Sequence, residues 1–151
     1  MQSSKLIQTK AYINGNWVSA ASGKTFAVTN PATGEVIAEV PDMSREDVRS
    51  AIDEAAAAWP SYRDLTAKQR SKLLRNWFEL ILKNKEELAH LITFESGKVI
   101  TESLGEVDYG ASFIEWFAEE AKRTYGDVIP SPTKDKRLVV IKQSVGVAAA
   151  I

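Results

Sequence analysis

Cysteine is absent from the 151 residues. Within them there is no disulfide framework, no thiol nucleophile and no thiolate ligand for a metal, a composition that suits a cytoplasmic protein. Histidine occurs once, at His90, mid-helix in the predicted pattern, so no second imidazole can join it in a metal site or acid–base pair. Charge of one sign is also missing. Lys plus Arg number 19 against 20 Asp plus Glu, for a net charge of −1, which gives no electrostatic basis for binding nucleic acid or an anionic membrane. No apolar run approaches the roughly 20 residues a membrane helix needs. The opening MQSSKLIQTK has neither the apolar core of a secretory signal nor an Arg-rich amphipathic pattern. Neither GxGxxG nor a P-loop pattern occurs, so no phosphate cradle of a familiar type is encoded. With 44% apolar and 26% charged residues the chain is globular, long enough for one domain with a sizeable core.

What is present begins with turns. Asn14-Gly15 lies between apolar flanks in Tyr12–Val18, and both residues tolerate positive φ, which predicts a two-residue type I′ hairpin. A second hairpin is predicted from Phe26–Thr29, through Asn30-Pro31-Ala32-Thr33-Gly34, to Glu35–Pro41. From Ser44 the period turns helical. Ser44-x-x-Asp47 predicts a capping box, with Val48, Ala51, Ile52, Ala55, Ala56 and Trp59 on one face and Pro60 as the stop. Thr66-x-x-Gln69 opens a second helix with a buried stripe of Leu73, Leu74, Trp77, Phe78 and Ile81. Asn84-x-x-Glu87 opens a third that Gly97 ends in a left-handed cap. The fourth and longest runs from about Ile100 to Arg123, with Ile100, Leu104, Val107, Ala111, Ile114, Ala118 and Ala121 at spacings of four and three, and Gly126 ends it. Arg137–Gln143 reads as a strand. Gly146–Ile151, small and apolar throughout, reads as a strand buried on both faces of a parallel sheet.

Catalytic constellations are nearly absent. Glu106 and Asp108 sit on different faces of a helix, which argues against joint acid–base work. Glu119, Glu120, Lys122 and Arg123 read as a solvated, mixed-charge helix end. Tyr109, Phe113, Trp116 and Phe117 form an aromatic strip beside the apolar stripe, and core packing is its favoured reading.

The segments Phe26–Pro41, Ala58-Trp59, Leu65–Lys68, Leu73–Phe78, Glu95-Ser96-Gly97-Lys98, Ala111–Arg123, Tyr125-Gly126-Asp127 and Asp135–Leu138 occur in the order found in the aldehyde dehydrogenase superfamily. The chain resembles the amino-terminal part of that family, closest to the bacterial NADP-dependent succinate-semialdehyde dehydrogenases, over roughly Ile13 to Ile151. The resemblance implies an α/β fold: amino-terminal hairpins (11–41) and a helical layer (44–124) within a cofactor-domain portion at 1–136, an oligomerisation strand at 137–145, and at 146–151 the first strand of a sheet that the chain does not continue. It implies oxidation of a small aldehyde, succinate semialdehyde, with NADP or NAD: a thiolate attacks the aldehyde, hydride passes to the cofactor, and water hydrolyses the thioester. The catalytic residues and the cofactor contacts lie beyond these 151 residues, so no cofactor is expected to bind the chain by itself. The resemblance places Tyr109 and Phe113 along the substrate entrance tunnel. It places Val28, Thr29 and Glu95 at a monovalent-cation site, where Glu95 stands for a usual Asp, and it makes 137–143 a contact between subunits of a homo-oligomer. The alternative is a stand-alone, non-catalytic interaction module of the same descent.

Overall fold

In the computed structural model, which describes residues 6–150, Asn14 has φ 47° and Gly15 has φ 76°. Both occupy the left-handed region a type I′ turn requires. They join β1 (Ala11–Ile13) antiparallel to β2 (Asn16–Val18), with Tyr12 opposite Trp17 and their ring centroids 5.0 Å apart. The second hairpin pairs β3 (Thr25–Thr29) with β4 (Val36–Pro41). Asn30 shapes its turn: Oδ1 accepts the Ala32 N–H at 2.9 Å, and its carbonyl accepts the Gly34 N–H at 2.8 Å. The register slips between Val28 and Thr29, where Ile37 is the extra residue of a bulge.

The first two helices start as the sequence predicts. At α1 (Arg45–Arg63) Ser44 Oγ accepts the Asp47 N–H at 3.2 Å and Asp47 Oδ2 accepts the Ser44 N–H at 2.8 Å. Thr66 and Gln69 repeat the exchange at α2 (Ala67–Lys83). Such a cap is typically worth about 1 kcal/mol. At α3 (Lys85–Ser96) the predicted side-chain cap does not form, because the Asn84 amide turns back to the Leu80 carbonyl at 2.7 Å. The helix ends on Gly97 at φ 74°, as predicted. A Cβ at that glycine would lie 3.0 Å from the Pro31 ring, so the second hairpin's turn rests against the end of α3.

The core lies where α4 (Ile100–Glu120) packs on α2 and α3. Val107, Ala111 and Ala118 of its predicted stripe are buried, as is Ser103, which the stripe did not include, and Ser71 of α2 and Ala89 of α3 are buried too. The buried Ser103 hydroxyl pairs with Thr93 at 2.9 Å, which removes the cost of leaving a hydroxyl unsatisfied between helices.

Several expectations are corrected. Pro60 does not stop α1, which runs three residues further. The carbonyl of Ala56, deprived of its donor, is on an exposed residue where water can serve it. α1 has no buried residue, and Val48 and Ile52 remain half exposed. Only one side of the α2 stripe is inward: Leu74, Phe78 and Ile81 are partly buried, while Leu73 and Trp77 face out. α4 ends at Glu120, six residues before Gly126. Gly126 instead begins a hairpin that the sequence reading missed, β5 (Asp127–Ile129) against β6 (Leu138–Val140). A Cβ on Gly126 would fall 1.7 Å from the Val140 carbonyl oxygen, so no side chain fits there without moving the backbone. The strand expected over Arg137–Gln143 is thus three residues long, and all three are exposed. Of the strand expected at 146–151, Gly146–Ala150 carries no strand hydrogen bonding, and Ile151 lies outside the described residues. A parallel strand exists only beside neighbours, and the three sheets among the described residues are two-stranded antiparallel pairs.

Asp47 gives the fold a pH dependence. Besides the Ser44 N–H, its carboxylate accepts the Ala21 N–H at 3.3 Å and so ties the loop after β2 to α1. The backbone bond from Ser44 leads in holding its pKa below the ordinary 3.8. A depressed carboxylate pKa contributes stability that is complete above the unfolded-state value and is lost as pH falls through the folded one. Asp47→Asn is therefore expected to lower Tm at neutral pH and to flatten the loss of stability below pH about 4, measured by circular dichroism melts across pH.

Candidate functional site

Tyr109 and Phe113 stand one helical turn apart on α4, and their rings meet edge to face at 4.8 Å. Tyr109 is 67% exposed and Phe113 47%; Trp116 and Phe117 are also exposed. The core-packing reading of this strip is therefore overturned: the small residues Ser103, Ala111 and Ala118 take the buried face, and the aromatics form a surface wall beside it.

Charged contacts frame the wall. Arg75 of α2 forks across to α4, donating from Nη1 to Glu115 at 2.7 Å and from Nη2 to Glu119 at 2.9 Å, with its guanidinium 5.3 Å from the Phe78 ring centre. The bond to Glu115, more than any other influence, raises the Arg75 pKa above its ordinary value. Glu119 thus works across helices, where the sequence suggested only a solvated end. Lys85 of α3 reaches Asp108, beside Tyr109, at 2.6 Å, and Lys98 pairs with Glu106. Glu106 and Asp108 serve different partners, as their spacing predicts. Exposed pairs of this kind contribute under about 1 kcal/mol each, so apolar packing holds the helices together and the charges set orientation.

Between α2, α3 and α4 runs an open groove of about 470 Å³. Ile81, Leu91, Ile92 and Val107 give it an apolar floor, Gly110 leaves its rim low, and Glu95 and Glu106 supply its carboxylates. Tyr109 and Phe113 flank this groove on α4 without lining it. The predicted cation ligands come from two stretches that the Pro31–Gly97 contact draws together: Val28 and Thr29 before the turn, and Glu95 two residues before Gly97. Val28 is partly buried, and Thr29 and Glu95 are exposed. Among the described residues no three His, Cys, Asp or Glu side chains cluster as a metal site, so a cation there would depend on main-chain oxygens and one carboxylate. His90 is exposed and stands apart from any such group.

A nicotinamide dinucleotide does not fit these residues. Its pyrophosphate needs helix N-termini at the carboxyl ends of parallel strands. The described sheets are antiparallel hairpins, and the groove between α2, α3 and α4 presents carboxylates that would repel the phosphates. Among the described residues, no helix is long and apolar enough to cross a membrane.

Residues 17–151 match the aldehyde dehydrogenase family, and the chain belongs to it. Over all 151 residues it is 56% identical to the glutarate-semialdehyde dehydrogenase of Pseudomonas putida, covering 32% of that protein. It is 52% identical to the NADP(+) succinate-semialdehyde dehydrogenase of Escherichia coli, covering 31% of it. The crystal structure of succinate-semialdehyde dehydrogenase from Burkholderia pseudomallei superposes with a TM-score of 0.92 at 47% identity, over 97% of this chain and 30% of that one. The chain thus spans about a third of the length of these relatives.

The Arg75 fork escaped the sequence reading because its partners are 40 and 44 residues away. The available signal was Glu115 and Glu119 one helical turn apart, facing a helix that offers an arginine. Arg75→Lys is expected to lower Tm measurably, since a single ammonium cannot hold two carboxylates in the same geometry. A melting curve identical to that of the unaltered chain would show the fork to be energetically idle.

Proposed function

We propose that the protein to which these residues belong is an NAD(P)-dependent semialdehyde dehydrogenase that oxidises succinate semialdehyde, or its homologue one methylene longer, to the dicarboxylate in the cytoplasm. One observation carries the reading: identity above one half, over every residue of the chain, to enzymes named for those two semialdehydes. The thiolate, the general base and the cofactor site belong to residues other than these. The role of the present residues is architectural. They supply the helical layer, one wall of the substrate entrance at Tyr109 and Phe113, and a monovalent-cation site at Val28, Thr29 and Glu95. Residues 137–143 supply a contact between subunits. Exposure of Leu138, Val139, Val140 and Ile141 supports the last assignment, because a ladder of apolar side chains open to water on both faces favours being covered.

The test is a chimera in which this chain replaces the corresponding segment of the Escherichia coli enzyme. It is expected to oxidise succinate or glutarate semialdehyde with NADP, followed by absorbance of the reduced cofactor, while the 151 residues alone give no turnover for want of a thiolate. A chimera that assembles like the parent and oxidises neither substrate would overturn the reading in favour of a non-catalytic module.

The tunnel assignment is tested in the same chimera. Tyr109→Ala is expected to raise KM for the semialdehyde more than it lowers kcat, because the ring shapes entrance and binding and takes no part in the chemical step. Equal losses in kcat and kcat/KM would instead place Tyr109 in transition-state stabilisation.

A further inference from the structure

We infer that Asn14 is a site of spontaneous deamidation, at which the backbone nitrogen of Gly15 converts the first hairpin's turn into aspartyl and isoaspartyl forms. Asn14 and Gly15 are both exposed at the tip of the β1–β2 hairpin. Among the described residues the Gly15 N–H donates no turn hydrogen bond, and apart from its chain neighbours nothing lies within 4 Å of where a Cβ would be, so no remote segment packs over the turn. The hairpin that restrains the pair is weak: three residue pairs in a sheet of two strands. An isolated two-stranded ladder is marginally stable in water, and its tip opens locally at little cost.

The chemistry balances without a co-reactant other than water. The deprotonated Gly15 nitrogen attacks the Asn14 side-chain carbonyl carbon, the new C–N bond closes a five-membered succinimide, and ammonia leaves. Water then opens the ring at either carbonyl. One product is aspartate with the normal backbone; the other is isoaspartate, whose chain runs through the former side chain.

The remaining asparagines are internal controls. Asn30 precedes Pro31, which has no N–H to serve as nucleophile. Asn76 precedes Trp77 inside α2, where the backbone nitrogen is committed to the helix. Asn16 and Asn84 precede Trp17 and Lys85, whose side chains crowd the attack.

The product matters because of where Asn14 sits. It lines a crevice between the hairpin and α1 together with Asp47 and Glu54. A carboxylate at position 14 adds a third negative charge to that crevice and moves the net charge from −1 to −2. The isoaspartyl linkage also lengthens the turn by one backbone atom, and a two-residue turn fixes the strand register only at its own length. Both changes loosen the hairpin from α1.

The experiment ages the 151-residue chain in mildly alkaline buffer made with heavy-oxygen water, then maps its peptides by mass spectrometry with fragmentation that separates isoaspartate from aspartate. Asn14 is expected to lose its amide first and to account for most of the mass shift. It should carry one heavy oxygen per event and yield isoaspartate in excess, with faster cleavage after Lys10 in the aged protein. A parallel sample held unfolded in urea should modify at the same residue and give the protection the hairpin affords. Loss of amide at Asn14 no faster than at Asn16 or Asn84, or a product without isoaspartate, would overturn the proposal.

Discussion

Close approach of α4 to α2 and α3 through small side chains is the constraint on which the rest of the structure depends. Ser103, Ala111 and Ala118 let the helix axes come near enough for Thr93 to reach Ser103 and for Arg75 to reach two glutamates at once. Larger residues on that stripe would push α4 outward and break all three contacts together. The aromatic wall follows from the same choice. With the inward face given to small residues, Tyr109 and Phe113 are left on the outer face of α4 within these residues.

Much of the apolar surface of these residues is uncovered. Leu73 and Trp77 on α2, Val48 and Ile52 on α1, and the β5–β6 side chains all stand at least one-third exposed. Monomeric soluble domains rarely leave so many large apolar side chains in water. A chain that spans about a third of its relatives' length accounts for the pattern, because these are faces that the remainder of such an enzyme can cover.

Local chemistry was legible in the sequence and distant chemistry was not. The turn at Asn14-Gly15, the capping boxes at Ser44 and Thr66 and the left-handed end at Gly97 depend on a few adjacent residues, and each appears as expected. The stripe of α4 was legible because spacings of four and three define one face. α2 was harder, since Leu73, Trp77 and Leu80 make a second apolar face beside Leu74, Phe78 and Ile81, and periodicity cannot say which turns inward. Gly126 was misassigned because its requirement comes from the Val140 carbonyl, not from the helix before it. Of the candidate site, the aromatic strip of α4 was visible in the sequence: its residues alone favoured core packing, while the family resemblance placed Tyr109 and Phe113 along the entrance tunnel. The stretches holding Val28, Thr29 and Glu95 approach through the contact of Pro31 with Gly97, which lies between remote segments. Family membership, which periodicity could not give, is what the comparisons bear out.

The seating of Pro31 on Gly97 has a consequence for the order in which the chain assembles. Each hairpin and each helix can form from its own neighbourhood within microseconds, but this contact joins segments far apart in sequence and carries the entropy of closing a long loop. It also needs the left-handed end of α3 to exist first, because the ring occupies the space a glycine leaves open only in that conformation. Docking of the second hairpin therefore comes after the local formation of its own turn and of the left-handed end of α3, and the stretches bearing Val28, Thr29 and Glu95 approach one another only through it.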